Sequence, residues 1–293
     1  METVKTQVII IGAGLVGCMT SKVLEDAGYS TLIIDMEHPY AGSKCSFGIW
    51  KDGWVNKVIR KEYEEGLDTL EKYAGEKVTI ELFNMTKERV DEFYYVDCDN
   101  IMNEDFLPAE VTRIENNRVE FTMEGQKMVG KATVAVVVAA GAFTQTILED
   151  SGYDNAPKLD VLWGATMDVR MPIDESRIQE WAPYKQCILY KVNDKKFVFG
   201  DGATVKNPKV DDPRVKKAST RLQEHLNMTT MASVPNSKIK AVNEGYRPYL
   251  SKGTPNFINK HDRRLISATG GAKNTTILCG FMAQEVLKTI KKI

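Results

Sequence analysis

The sequence predicts an α/β fold in which a parallel sheet is interleaved along the chain with an antiparallel sheet. Residues 8–37 read as a strand, a glycine turn, a helix and a second strand, which together make a complete βαβ unit. Residues 132–140, which Gly141 terminates, are too continuously apolar for a half-exposed strand, so they fit a central strand of a parallel sheet. Residues 158–240 contain separated strands and then an amphipathic helix, a pattern typical of an antiparallel sheet with a covering helix.

The glycine turn of the βαβ unit has the spacing of a dinucleotide-binding site. Gly12 permits the tight turn, Gly14 lets the backbone approach a pyrophosphate, and Gly17 allows the helix to pack closely on the strand. The N-terminus of the helix offers free N–H groups and a positive dipole to the phosphates. Asp35 ends the second strand, where its carboxylate can accept from ribose hydroxyls. This acid also disfavours a ribose that carries a 2′-phosphate.

The remaining periodicity predicts the other elements in order. An amphipathic helix is expected over residues 56–74, with Val58, Ile59, Leu67 and Leu70 on its inner side. The predicted strands are 77–84, 92–98, 111–114, 118–123, 126–129, 161–171, 186–192 and 196–199, and the covering helix is 213–227.

These elements divide the chain into two interleaved domains. We expect a dinucleotide-binding domain made of residues 1–80, 100–157 and 241–293, and a substrate domain made of residues 81–99 and 158–240. Interleaved domains place a ligand cleft between them.

Composition narrows the class of protein further. The chain has 293 residues, 43% of them hydrophobic, and a formal net charge of −1, which gives no electrostatic reason to expect binding to nucleic acid or to an anionic membrane. No apolar run reaches the roughly 18 residues of a membrane span. We therefore expect a soluble cytoplasmic protein. The five cysteines are scattered without a CxxC pair, which suits a reduced protein without a metal site: Cys18, Cys45, Cys98, Cys187 and Cys279.

Six motifs, taken in chain order, resemble the D-amino-acid oxidase and glycine oxidase superfamily of FAD-dependent oxidoreductases. They are the Gly12-Gly14-Gly17 turn, the loop Ser43 to Gly48, Ala139-Ala140-Gly141, Gly200-Asp-Gly-Ala-Thr204, Gly245-Tyr-Arg-Pro248 and Ala268-Thr-Gly270. The resemblance covers most of the chain. It implies a Rossmann-like FAD-binding domain with an interleaved antiparallel β-sheet substrate domain, and FAD rather than NAD as the cofactor.

The resemblance also implies where FAD binds. The loop 43–48 would lie against the pyrophosphate and flavin, the backbone of Val111 against the adenine, and residues 270–275 under the pyrimidine edge of the flavin, where N–H groups and a cation favour the reduced ring. The implied cofactor-binding residues are Gly12, Gly14, Leu15, Val16, Gly17, Asp35, Met36, Ser43, Lys44, Cys45, Ser46, Gly48, Val111, Ala140, Gly141, Gly270, Gly271, Ala272, Lys273, Asn274 and Thr275.

By the same resemblance the reaction is oxidation of the C–N bond of an amino acid or secondary amine. A hydride passes to flavin N5, and water then hydrolyses the imine. Arg247 would hold the substrate carboxylate in two parallel hydrogen bonds, with Tyr246 and Tyr190 as hydroxyl donors or aromatic walls. His38, His225 and His261 share no motif, so no role is assigned to them. FAD is expected to be bound non-covalently, with Cys45 as the candidate for any covalent attachment.

Several positions depart from the pattern of the superfamily. Gly271 and Lys273 stand where histidine and arginine are usual, and Thr275 stands where a glycine is usual. Asp35 replaces the more usual glutamate, so Glu37 could share the ribose contact. Residues 85–110 are short for the superfamily, which would leave the substrate pocket open.

An open pocket motivates a second hypothesis, in which the same chemistry acts on a carrier-linked amino acid. The carrier could be a glycyl-modified nucleotide or DNA base, and the reaction would release glyoxylate and leave an amine. Two alternatives come from other classes. A non-catalytic FAD-binding protein would keep the glycine turn without needing Arg247, and a nicotinamide-dependent dehydrogenase would share the opening motif but not Ala268-Thr-Gly270.

Overall fold

The computed structural model describes most of the chain, including all of the predicted βαβ unit. The described residues are 2–46, 48–50, 55, 57–74, 78–84, 89–96, 98–173, 188–193, 195–200, 202–209, 212–230, 233–251 and 256–293. The predicted starts of strands 77–84 and 186–192 lie outside them.

The first sheet contains the strands of the βαβ unit and is parallel at its centre. Its members are β1 Glu2–Ile11, β2 Thr31–Asp35, β6 Phe106–Pro108, β7 Glu110–Glu115, β8 Arg118–Met123, β9 Gln126–Val138, β15 Ile258–Lys260 and β16 Leu265–Ala268. These strands run in the order β15-β16-β9-β1-β2-β6, and β7 and β8 extend β9 as an antiparallel meander. The predicted strand 126–129 and most of the apolar run 132–140 thus form one long strand, β9, which ends at Val138.

The second sheet is antiparallel, as predicted. Its members are β3 Ile49–Trp50, β4 Val78–Asn84, β5 Arg89–Tyr95, β10 Leu159–Val169, β11 Ile188–Asn193, β12 Lys196–Gly200, β13 Val205–Lys206 and β14 Ile239–Leu250. These strands run in the order β13-β10-β12-β11-β4-β5-β3, and β14 pairs with β10 along its whole length.

Two of the expected domain boundaries need correction. We placed residues 241–293 with the dinucleotide-binding sheet, but β14 lies in the antiparallel sheet through its register with β10. We placed residues 1–80 there too, yet β3 and the first residues of β4 pair with β5. Both errors have one cause: the partner of a strand is set by distant parts of the chain, which its own sequence does not reveal.

The helices cover both sheets. They are α1 Leu15–Asp26, α2 Arg60–Ala74, α3 Cys98–Ile101, α4 Thr144–Asp150, α5 Pro213–Lys216, α6 Ala218–Thr230 and α7 Thr275–Ile290. α1 and α2 both pack against α7. The predicted covering helix is interrupted, since Lys217 separates α5 from α6. The apolar face of α6, including Leu222 and Leu226, packs against the antiparallel sheet at Trp163 and Phe199.

None of the helices in the described part of the chain has both the length and the apolar character that crossing a bilayer requires.

The contact between α2 and α7 depends on two glycines. A Cβ atom added at Gly66 would lie 2.4 Å from the backbone nitrogen of Phe281, and one added at Gly280 would lie 2.4 Å from the carbonyl oxygen of Gly66. The two backbones therefore touch, and either substitution would force the helices apart.

We expect Gly66→Ala to destabilise the fold although alanine is the better helix former. The helix preference of alanine is about 1 kcal/mol more favourable, but overpacking a core typically costs about 1–3 kcal/mol, and here the clash is with backbone that cannot rotate away. With the cost at the upper end of that range, the gain offsets only part of it, and urea unfolding should give a free energy of unfolding about 1–2 kcal/mol lower than that of the wild type. Asp68→Ala on the exposed face of the same helix is the matched control. A Gly66→Ala protein as stable as Asp68→Ala would contradict the close contact.

Candidate functional site

A large cavity lies where the two sheets meet. Its volume is about 910 Å³, within the range of ligand sites. The carboxyl ends of β1, β2 and β9 line one side, with the first residues of α1 and α7, and the end of β14 lines the other. In α/β sheets the carboxyl ends of parallel strands are where ligands bind.

The glycine turn between β1 and α1 forms a closely packed wall of this cavity. Gly12 has a φ of 109°, and a Cβ atom there would lie 2.5 Å from the carbonyl oxygen of Ala139. A Cβ at Gly17 would lie 1.8 Å from the carbonyl oxygen of Gly12, so this glycine brings the helix against the turn as predicted. Gly17 does not itself line the cavity.

Gly14 opens the space in front of the α1 N-terminus. A Cβ at Gly14 would lie 2.8 Å from Ser43 Oγ, which accepts a hydrogen bond from the backbone N–H of Leu15 at 3.0 Å. The first N–H groups of a helix have no partner within the helix. Ser43 already accepts from the N–H of Leu15, so the next N–H groups of α1 are the donors that a pyrophosphate could use, and the missing side chain at Gly14 leaves room for it to approach.

Asp35 is held at the end of β2 by backbone donors. Its Oδ2 accepts from the N–H of Ala13 at 2.7 Å, and its Oδ1 accepts from the N–H of Glu37 at 2.6 Å. Each carboxylate oxygen keeps a second lone pair that a ribose hydroxyl could use. Met36 and Val111 line the same end of the cavity, whereas Glu37 does not. The adenosine end of a dinucleotide therefore fits here.

The loop after β2 links α1 to α7. Ser43, Cys45, Ser46 and Gly48 all line the cavity, whereas Lys44 does not. Ser46 Oγ shares a hydrogen bond of 2.7 Å with Thr276 Oγ1 at the start of α7. This bond fixes the loop between the two helix N-termini that face the cavity.

The start of α7 has a constrained backbone. Gly270 has a φ of 97°, and Ala272 has a φ of 50°, in the left-handed region that residues with a Cβ rarely occupy. Gly271 forms an isolated bridge with Tyr249, which brings the end of β14 against this turn. Such strain is often found at ligand sites.

Eight further residues that we predicted to bind the cofactor also line the cavity. They are Gly271, Ala272, Asn274 and Thr275 before and at the start of α7, Leu15 and Val16 on α1, and Ala140 and Gly141 after β9. The main chain of Lys273 belongs to the same turn.

Arg247 reaches the cavity from the antiparallel sheet. It lines the cavity together with Tyr246 and Pro248. Its Nε atom is buried and has no hydrogen-bond partner among the described residues. A buried donor without a partner is costly, which points to a ligand that accepts from it. The third predicted catalytic residue, Tyr190, belongs to β11, where its backbone pairs with Leu82 and Val198.

A cluster of aromatic rings was not expected from the sequence. His38 lies 4.3 Å from Phe143 and 5.8 Å from Tyr40 between ring centroids, and Tyr246 lies 5.5 Å from Tyr40 and 6.5 Å from Phe143. His38, Phe143 and Tyr246 line the cavity. Burial lowers the pKa of His38, although Asp35 opposes this, so the neutral ring is favoured. The sequence did contain one signal for two of these rings. His38 and Phe143 each follow shortly after a strand of the parallel sheet, where ligand-binding residues lie.

Cys45 has the properties of an unreactive thiol. It is 2% exposed, and its Sγ donates to the carbonyl oxygen of Gly42 at 3.2 Å. Burial raises the pKa of this thiol, and the charge of Arg247 only partly offsets the effect. The thiolate is the form of cysteine that reacts.

We therefore expect FAD to be released when the protein is denatured. Acid precipitation and centrifugation should leave the yellow flavin in the supernatant, as measured by its absorbance. Cys45→Ala should give the same result. A wild-type precipitate that keeps the chromophore would contradict this expectation, and its loss in Cys45→Ala would identify the attachment.

Comparison with known proteins identifies the dinucleotide. A family profile described as "FAD binding domain" matches residues 5–44, which contain most of β1, the glycine turn, α1, β2 and Ser43. This match confirms FAD as the predicted cofactor. No curated protein sequence matches the chain.

Solved structures share the whole fold at low sequence identity. Glycine oxidase from Bacillus cereus ATCC 14579 is 15% identical over 98% of each chain, with a TM-score of 0.67. L-proline dehydrogenase from P. horikoshii is 14% identical over 100% of this chain and 94% of that chain, with a TM-score of 0.71. Iminodiacetate oxidase from Chelativorans sp. BNC1 is 15% identical over 97% of this chain and 95% of that chain, with a TM-score of 0.63.

The chain thus has the fold of the FAD-dependent oxidoreductases, which confirms the predicted fold class and the resemblance seen in the motifs. The comparisons also support the prediction of an oxidoreductase.

Proposed function

We propose that this protein oxidises the C–N bond of an amino acid or secondary amine. FAD, when bound, would supply the chemistry by accepting a hydride from the carbon next to the nitrogen. The observation that carries the proposal is Arg247, a cation on the cavity wall whose buried Nε has no partner among the described residues. A planar fork of donors matches a carboxylate.

Arg247 would act by orientation. It would bind the carboxylate and thereby fix the position of the adjacent carbon. Tyr249, which lies in β14 like Arg247, forms a bridge with Gly271, so this carbon would be fixed relative to the turn at Gly271. Fixed geometry of this kind can account for several kcal/mol of a barrier. Burial raises the pKa of Tyr246, so its neutral hydroxyl would remain available as a donor. Free water would then hydrolyse the imine product.

Residues 270–275 would complete the site from the opposite wall. The N-terminal N–H groups of α7 would stabilise negative charge on the cofactor. The assigned residues between Gly12 and Val111 that line the cavity, which leaves out Gly17 and Lys44, would hold its pyrophosphate and adenosine.

A more specific form of the proposal concerns the group attached to nitrogen. Residues 85–110 are short for the resembled superfamily, and one structural neighbour is named for iminodiacetate, a secondary amine derived from glycine. An N-substituted or carrier-linked glycine, such as a glycyl-modified nucleotide or DNA base, could itself cover the cavity and exclude water. Its oxidation would release glyoxylate and leave the carrier amine.

Anaerobic mixing tests both forms of the proposal. The holoenzyme should be bleached slowly by free glycine, sarcosine and D-alanine, and much faster by a glycine that carries a large base-like substituent on nitrogen. Equal or faster bleaching by free glycine would reject the carrier-linked form and keep plain amine oxidation. A yellow protein that no amine or amino acid bleaches would instead favour a non-catalytic FAD-binding protein.

A further inference from the structure

Two glycines face each other on the cavity side of the antiparallel sheet. The register of β10 and β14 pairs Leu162 with Arg247 and Gly164 with Gly245. Alternate residues of a strand point to the same face of a sheet, so these four positions share one face. Leu162 and Arg247 line the cavity. The space over Gly245 is filled by the loop at Gly42 and Cys45, since a Cβ there would lie 2.7 Å from Cys45 Sγ and 2.8 Å from Gly42 Cα. The missing side chain at Gly164 therefore leaves a depression in the wall beside Arg247.

The side chain of Arg247 fills this depression. A Cβ atom added at Gly164 would lie 1.6 Å from Nη2 of Arg247, 2.8 Å from its Cζ and 3.4 Å from its Nε. The guanidinium thus lies directly over the Cα of Gly164. Any side chain at position 164 would occupy the same space, and the guanidinium would have to move.

No hydrogen bond to Nε and no ion pair holds the guanidinium in the described part of the chain. Its Nε has no hydrogen-bond partner, and none of the described ion pairs includes Arg247. An arginine side chain has many rotamers, and immobilising it costs entropy. Packing against the sheet at Gly164 is a contact that can restrict it.

We propose that Gly164 is a positioning residue that sets the geometry of Arg247 for a substrate carboxylate. The inference rests on the proposed function, in which Arg247 binds that carboxylate. Gly164 touches neither substrate nor cofactor in this account. It acts by leaving room for the guanidinium to lie flat on the sheet, so that two parallel hydrogen bonds to one carboxylate are possible.

The test measures carboxylate binding without turnover. Propionate, which has no amine to oxidise, is titrated into the FAD-loaded protein, and the change in the visible flavin spectrum gives its Kd. Gly164→Ala should weaken binding about 10- to 100-fold, the loss expected for one hydrogen bond to a charged group. Gly130→Ala in β9 is the matched control, since the one close approach of a Cβ there is to the flexible end of Ile9, at 2.8 Å, and its next contact is an ordinary one of 3.6 Å to Phe121. Wild-type affinity in Gly164→Ala would overturn the inference.

A second set of variants, with lysine at position 247, shows whether Gly164→Ala acts on the guanidinium or damages the strand. Lysine has no guanidinium to overlap a Cβ at position 164, so Arg247→Lys and Gly164→Ala/Arg247→Lys should bind propionate equally. If Gly164→Ala weakened propionate binding as much in the Arg247→Lys protein as in the wild type, the inference would be overturned. If Gly164→Ala alone fails to keep FAD, then Gly164→Ala/Arg247→Ala should recover FAD content and melting temperature, because the clash is removed. Failure to recover would also overturn it.

The wild-type titration distinguishes the two proposals. A wild-type flavin spectrum that does not respond to propionate contradicts the carboxylate role of Arg247 and, with it, the role of Gly164. If the wild type binds propionate and Gly164→Ala binds it with the same Kd, only the positioning role of Gly164 is contradicted.

Discussion

Arg247→Ala is expected to keep FAD bound and to lose amine oxidation almost completely. Two hydrogen bonds to a carboxylate are worth about 1.5–3 kcal/mol each, so their loss corresponds to about 10²–10⁴-fold in rate. Misplacement of the reacting carbon adds to this loss. The measurement is the rate constant of anaerobic flavin reduction by the best amine substrate.

Two variants control for charge and for general damage. Arg247→Lys keeps the charge but not the planar fork, so it should recover only part of the rate. Arg263→Ala removes an exposed arginine outside the cavity and should reduce the flavin at the wild-type rate. Unchanged reduction kinetics in Arg247→Ala would remove this residue from the proposed function.

Gly14→Val is expected to give a folded protein without FAD. The first atom of the new side chain would lie 2.8 Å from Ser43 Oγ, and its branches would fill the space through which a pyrophosphate reaches the α1 N-terminus. We expect no yellow colour in the purified protein and far-UV circular dichroism close to that of the wild type. The readout is the ratio of flavin to protein absorbance.

Gly28→Asn is the matched control for this substitution. Gly28 has a φ of 86° with nothing within 4 Å of its added Cβ, and asparagine tolerates the left-handed region. This variant should purify with full FAD. Full FAD in Gly14→Val as well would show that the pyrophosphate does not bind at this turn.

The βαβ unit could be predicted because its signals are local. The strands, the three glycines and Asp35 lie within 30 residues, and each has a separate physical reason for its position. The same holds for α2 and for β9, whose periodicity is carried by consecutive residues. These elements also place one end of the cavity, because the carboxyl ends of neighbouring parallel strands meet at one edge of the sheet.

The other wall of the cavity depends on contacts between distant parts of the chain. The register that pairs Gly164 with Gly245, and thereby lets Arg247 lie over Gly164, joins residues about eighty positions apart. The ring cluster brings Tyr40, Phe143 and Tyr246 together from three separate segments. Neither arrangement leaves a periodic signal in the sequence. The motifs could therefore indicate Arg247 but not the packing that holds it.

The most direct test of the proposed amine oxidation is the stoichiometry of a single anaerobic turnover. The holoenzyme is mixed with an excess of an N-substituted glycine, and both the loss of flavin absorbance and the carbonyl product are quantified. The account predicts one glyoxylate released and one carrier amine formed for each flavin reduced. Flavin reduction without a carbonyl product, or no reduction by any amine tested, would contradict it.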